Sequence, residues 1–87
     1  MLQTYVTANE IVNSNKQVQS NCNTIIFYNI GSTTVIIDQL VLPQGCSWTI
    51  DGNKDEINIT FYNVSFLNDG ANPSLCITRK IVEQHTR

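Results

Sequence analysis

The sequence predicts an all-β protein, a small antiparallel β-sandwich or barrel of six to seven short strands, and three observations carry that reading. Ile, Val and Thr together supply 27 of the 87 residues, against two Ala and five Leu. Branching at Cβ restricts a side chain in a helix and suits a pleated surface. Apolar and polar residues alternate with a period of two in several short runs, and no run holds a helical period. Between the runs lie Gly, Pro and many of the 11 Asn residues, the types that strand connections require.

Size and charge narrow the class further. A chain of 87 residues makes a single β domain, 1–87, with room for one modest core. Its stability is expected at about 0.05–0.15 kcal/mol per residue, so contact with neighbours would help it. Charge is sparse, with five Lys/Arg against seven Asp/Glu and a net −2. Lys16, Lys54, Arg79, Lys80 and Arg87 are scattered, whereas a nucleic-acid binder needs a basic stripe that neutralises phosphates. No direct nucleic-acid binding is expected. No apolar run approaches the ~20 residues that span a bilayer, and "MLQTYVTANE" lacks the basic and apolar regions of a secretory signal. The expectation is a chain folded in a cytoplasm, with no membrane partner. "NIT" at Asn58 and "NVS" at Asn63 match the glycosylation pattern and, without a signal, read as chance in an Asn-rich chain.

Taken in order, "LQTYVTANEIV" sets Leu2, Thr4 and Val6 on one face and Gln3, Tyr5 and Thr7 on the other, with a break expected at Ala8-Asn9-Glu10. "NSNKQVQSNCN" is polar and reads as irregular, anchored by Val18 and Cys22. Residues 1–23 are therefore the least core-like part, an N-terminal arm or edge strand that completes this chain's sheet or a neighbour's. "TIIFYNI" (24–30) and "TTVIIDQLVL" (33–42) flank Gly31-Ser32, which predicts a hairpin. The second run reads as one strand, with Val35 and Ile37 on one face and Ile36, Asp38 and Leu40 on the other. Its imperfect alternation suggests burial on both faces or a bulge. "PQG" (43–45) is a turn in which Gly permits a positive φ. "CSWTI" then points Cys46, Trp48 and Ile50 inward and Ser47 and Thr49 outward. Ile57, Ile59 and Phe61 alternate with Asn58 and Thr60, and "NVSFL" continues with Val64 and Phe66. After the loop "NDGANP" (68–73), "SLCITRKIV" closes the fold, with Leu75, Ile77, Arg79 and Ile81 opposite Cys76, Thr78, Lys80 and Val82.

The stretch "WTIDGNKDEINI" is the first place to look for chemistry, since Asp51, Asn53, Asp55 and Glu56 crowd oxygens together. A calcium loop of the EF-hand type needs Gly at its sixth position and Glu at its twelfth. Counted from Asp51, those positions hold Glu56 and Tyr62, so the pattern fails. Asp51-Gly52 instead predicts a second hairpin turn. Asp55 and Glu56 are adjacent and would face opposite ways on a strand, which is wrong for a catalytic carboxylate pair. Asp38, unusual in an apolar run, reads as solvated or edge-facing. His85, the single histidine, lies in a polar tail, a poor base for a nucleophile. No nucleophile elbow or phosphate loop is present. No catalytic, metal or cofactor-binding residue is expected, and no enzyme activity.

Cys22, Cys46 and Cys76 are odd in number and lack the close spacing of a metal site. They read as buried free thiols, a disulfide or a reactive thiol being the alternatives. Trp48 reads as a core tryptophan, or else as an exposed aromatic on a ligand surface.

The stretch "NIGSTTVIIDQLVLPQGCSWTIDGNKDEINITFYNVSF", followed by "SLCITRK", resembles small β-rich structural proteins of bacteriophages that infect Bacteroidetes hosts. The shared pattern is a Gly turn, an Ile/Val strand, a Pro-Gly turn, "SWTIDGN", an Asn-Val-Ser-Phe segment and a closing strand before a basic pair. It covers residues 24–82 and contains no catalytic signature. The resemblance implies a virion component, whether capsid, decoration or connector protein. Its partners would be copies of itself and other virion proteins, and its place the virion, assembled in the host cytoplasm. The alternative is a binding module that recognises a glycan or protein through its loops and Trp48.

Overall fold

The computed structural model describes residues 3–52 and 56–84, and among these the protein is all β. Eight strands form two antiparallel four-stranded sheets packed as a β-sandwich. One sheet has the order β1 (Gln3–Val12), β8 (Leu75–Gln84), β3 (Thr24–Asn29), β6 (Ser47–Asp51). The other has the order β2 (Lys16–Gln19), β7 (Phe61–Phe66), β4 (Val35–Ile37), β5 (Leu40–Leu42).

Eight strands appear, rather than six or seven, for two reasons. The run 33–42 is not one strand with a bulge. It folds back at Asp38-Gln39, where Asp38 takes φ 55° and Ile37 pairs with Leu40. A two-residue hairpin needs a positive φ at its first position, and Asp tolerates it better than most residues. The Asp38 carboxylate then accepts the Asn63 N–H at 3.0 Å, binding the turn to β7. The polar segment 13–23 is the second reason. It is not irregular: β2 lies within it, and Val18, Ser20, Cys22 and Asn23 are all buried.

The first strand does not break at Ala8-Asn9-Glu10. It runs unbroken from Gln3 to Val12, paired along its length with β8 of the same chain, from Gln3↔Gln84 to Val12↔Leu75. It completes the chain's own sheet.

Neither predicted glycine hairpin forms. Gly31-Ser32 carries the chain from β3 in one sheet to β4 in the other, and Asp51-Gly52 leaves β6 to reach β7 across the sandwich. Glycine serves close approach at both. A Cβ on Gly31 would lie 2.1 Å from the Asn72 carbonyl oxygen, and one on Gly52 2.1 Å from that of Asn23. The Pro43–Cys46 turn does form as expected, with Gly45 at φ 80° and the Cys46 N–H on the Pro43 carbonyl at 3.1 Å.

Most connections cross between the sheets over exposed surface, but the β2–β3 and β3–β4 crossings are partly buried, and their backbone polar groups must be satisfied there. Asn29, wholly buried, does this for the β3–β4 crossing. Its amide donates to the Thr33 and Leu42 carbonyls at 2.8 and 2.9 Å, and its Oδ1 accepts the Gly31 N–H at 3.1 Å. Asn23 does similar work beside Gly52, donating to the Glu56 carbonyl at 2.7 Å and accepting the Val82 N–H at 2.7 Å.

Between the sheets the core is built from alternate residues. Ile25 and Phe27 of β3 and Leu75 and Ile77 of β8 meet Val35, Ile37, Leu42, Tyr62 and Val64 of the facing sheet. Phe27 sits at the centre, stacked on Trp48 at 5.7 Å and edge-on to Tyr62 at 5.4 Å. Burying such a side chain is worth about 1.5–3 kcal/mol, with a further ~0.5–1.5 kcal/mol from favourable ring pairing.

Two substitutions test this picture. Asn29→Ala removes three buried hydrogen bonds, those to the Thr33 and Leu42 carbonyls and the one from the Gly31 N–H, and should lower unfolding free energy by about 3 kcal/mol, read as a reduced urea midpoint. The Thr33 hydroxyl is buried without a partner. Thr33→Val replaces it by a methyl of the same shape and should leave the midpoint unchanged or raise it by up to about 1 kcal/mol.

Candidate functional site

The acidic stretch does not assemble a site among the described residues. Asp51 is exposed on the edge strand β6, and its carboxylate accepts a long 3.4 Å bond from the Thr24 hydroxyl. Glu56 is exposed as well. Asn53 and Asp55 lie outside the described residues, as does His85. A cleft of about 460 Å³ opens beside this segment, lined by Gly52, Glu56, Ile57, Asn58 and Ile59. Among the described residues, no group of three or more His, Cys, Asp or Glu comes together to hold a metal ion.

Cysteine and tryptophan separate by position. Cys22 is buried, and burial pushes its thiol above the usual range. Cys46 is exposed rather than inward, because it ends the Pro43–Cys46 turn ahead of β6, and Cys76 is intermediate. All three are free thiols. Trp48 is half-buried on the edge strand, paired in register with Phe27 and edge-on to Tyr62 at 6.2 Å. Its ring belongs to the aromatic cluster at the rim of the core.

A charged cluster that sequence reading missed ties the two sheets together. Arg79, on the inward side of β8, donates to the carbonyls of Gln19 and Ser20 at 3.0 Å and to the Glu10 carboxylate at 2.9 Å. Lys16 holds the other Glu10 oxygen at 3.0 Å. A neutral side chain there would leave the Gln19 and Ser20 carbonyls unmet. The Lys16 and Arg79 hydrogen bonds together hold the Glu10 carboxyl below its ordinary 4.5. Only the alternation of Arg79 with Lys80 hinted that one of them faces inward.

The surface itself is the most informative feature. Ile57, Ile59 and Phe61 are 48%, 64% and 53% exposed, although their alternation reads as a core face. The reason is register. Cys22↔Asn58 and Val18↔Tyr62 keep one continuous alignment, so even-numbered residues point inward and the odd-numbered apolar ones outward. Tyr62 and Val64 fill the core, leaving an apolar ridge outside. Val41 on β5 is likewise 56% exposed. No helix among the described residues is long and apolar enough to cross a membrane. Comparison with protein-family models, with curated proteins and with solved structures finds no match for this chain.

The charged cluster makes a prediction about pH. Since folding lowers the Glu10 pKa, its contribution is present above the unfolded value and is lost as pH falls through the folded one. At a third exposed, the carboxylate is worth about 1 kcal/mol after solvent screening. Glu10→Gln should therefore lower the urea midpoint at pH 7, and the two proteins should converge by about pH 3.

Proposed function

We propose that this protein is a structural component of a bacteriophage particle, a capsid, decoration or connector protein that works by packing against copies of itself and other virion proteins. The observation that carries the reading is the apolar ridge of Ile57, Ile59 and Phe61, exposed on a sandwich whose core is already filled. Contiguous apolar surface of this kind marks contact with another macromolecule. The resemblance of residues 24–82 to small phage structural proteins says what kind of contact. A two-sheet fold also leaves four edge strands, of which β1, at ten residues, is the longest template for docking. On this reading the protein acts through shape in a virion assembled in the host cytoplasm, with no reaction of its own. The glycan-binding alternative draws less support, because Trp48 is stacked on Phe27 and edge-on to Tyr62 instead of standing free.

Immuno-electron microscopy and quantitative mass spectrometry of purified particles test the proposal. A structural component is recovered in a fixed copy number per particle and survives density-gradient purification. Recovery only in the soluble lysate, with none in particles, overturns it.

A further inference from the structure

We propose that the open side of β1 is a self-docking edge, on which two copies of the chain pair antiparallel to make one continuous eight-stranded sheet across a two-fold axis. This deepens the assembly reading above by naming the contact, and rests on it only in requiring that copies of the chain meet.

The direction of the backbone groups is fixed by β8. The Ser74 carbonyl accepts from Ile30 and Gly31, the Lys80 carbonyl accepts from Asn23, and the Val82 N–H donates to Asn23 Oδ1. Even-numbered residues on this side of the sheet thus turn their polar groups toward β3. Successive strand residues bond to opposite sides, so odd-numbered residues of β8 turn toward β1. The register then sets even-numbered β1 residues opposite them, as Ala8↔Arg79 and Glu10↔Ile77. Gln3, Tyr5, Thr7, Asn9 and Ile11 are left with N–H and C=O aimed at the open side, where no strand among the described residues pairs with them.

This edge differs from the other three. β1 is ten residues long, while β6, β2 and β5 have five, four and three. Short edges protect themselves, and long ones are usually blunted by Lys, Pro or a bulge. β1 carries no Lys, Arg or Pro, and its pairing with β8 runs without a bulge.

A second copy fits this edge for two reasons. The single charge, Glu10, is already engaged by Arg79 and Lys16, so identical edges meet without facing like charges. The pattern is also self-compatible. In an antiparallel pair about a two-fold, residues on the same face must lie opposite, which requires odd to meet odd. Centring on Thr7 pairs Thr7 with itself, Tyr5 with Asn9 and Gln3 with Ile11, so every outward N–H and C=O finds a partner. Val6, 48% exposed where β1 runs on, then meets the partner's Ala8 on the inner face.

Sedimentation equilibrium of the full chain reads the result. The unaltered protein should run at twice the chain mass. Thr7→Pro removes an N–H that faces the open edge and should give a monomer with an unchanged β circular-dichroism spectrum. Ala8→Pro, one residue on, removes a bond to β8 and should lower the melting temperature instead. Thr7→Lys sets two ammonium groups together on the axis. It should weaken the dimer at least tenfold in low salt and regain part of that in high salt, an effect that a foreign strand or another register would not produce. A monomer at the highest soluble concentration, or a dimer untouched by Thr7→Pro and Thr7→Lys, overturns the inference. Neither outcome bears on particle recovery, which tests the assembly reading separately.

Discussion

The carboxamide of Asn29 lies wholly buried between the Thr33 carbonyl, the Leu42 carbonyl and the Gly31 N–H, and the rest of the sandwich depends on that bond set. Only the β4–β5 connection stays within one sheet. The others take the chain from one layer to the other, and at the β2–β3 and β3–β4 crossings Ser20, Asn23, Gly31 and Thr33 are buried where water cannot reach. A side-chain amide offers two donors and an acceptor in a small neutral group, which suits such a crossing better than a charge. Asn29 also sits where β3 ends, its own N–H on the Cys46 carbonyl and its carbonyl accepting from Gly45. One residue thereby fixes the relation of β3, the crossing to β4 and the turn into β6. The excess of Asn in this chain is thus partly a core feature and not only a feature of its turns.

Once the crossings are set, the register of each strand follows, and with it the division between core and surface. Phe27 can meet Trp48 laterally and Tyr62 across the sandwich only if β3, β6 and β7 hold their alignments. That same alignment turns Ile57, Ile59 and Phe61 outward. The exposed ridge is a consequence of filling the core with Tyr62 and Val64, and a slip of one residue would exchange the two sets. A chain of this size cannot bury both, because two four-stranded sheets enclose a single layer of side chains.

Much of the fold is legible in the sequence, and the failures share a physical cause. β-Branched composition and period-two alternation mark β3, β6 and β8, and Pro43-Gln44-Gly45-Cys46 forms the turn its residues demand. What local pattern cannot show is which strands pair. Gly31 and Asp51-Gly52 look like hairpin turns because the reasons for glycine, a turn or a close neighbour, leave the same letter. Here the neighbour is the backbone of Asn72 or Asn23, far along the chain. The segment 13–23 looks irregular because two of its four buried members, Ser20 and Asn23, are polar and satisfied by distant groups. As for the site, the failure of the calcium pattern at Glu56 and Tyr62 can be read directly from spacing. The Glu10–Arg79–Lys16 cluster cannot, since it joins strands that meet only in the folded sandwich.

Those distant pairings also explain how a polar first strand belongs to the structure at all. β1 brings little apolar area to the core beyond Val12, so its place rests on the ladder with β8 and on specific polar contacts. The Thr78 hydroxyl donates to Asn9 at 2.7 Å, and Arg79 reaches Glu10 on the inner side. β8 is accordingly the spine of its sheet, paired with β1 on one side and β3 on the other while Arg79 spans to the opposite sheet. Loop-closure entropy opposes pairing between segments so far apart, so the ten-pair ladder of β1 with β8 has that cost to outweigh. A strand held at a sheet edge, through backbone bonds more than through buried side chains, necessarily leaves a second row of the same bonds facing out. The open edge of β1 is therefore the direct counterpart of the way that strand is held.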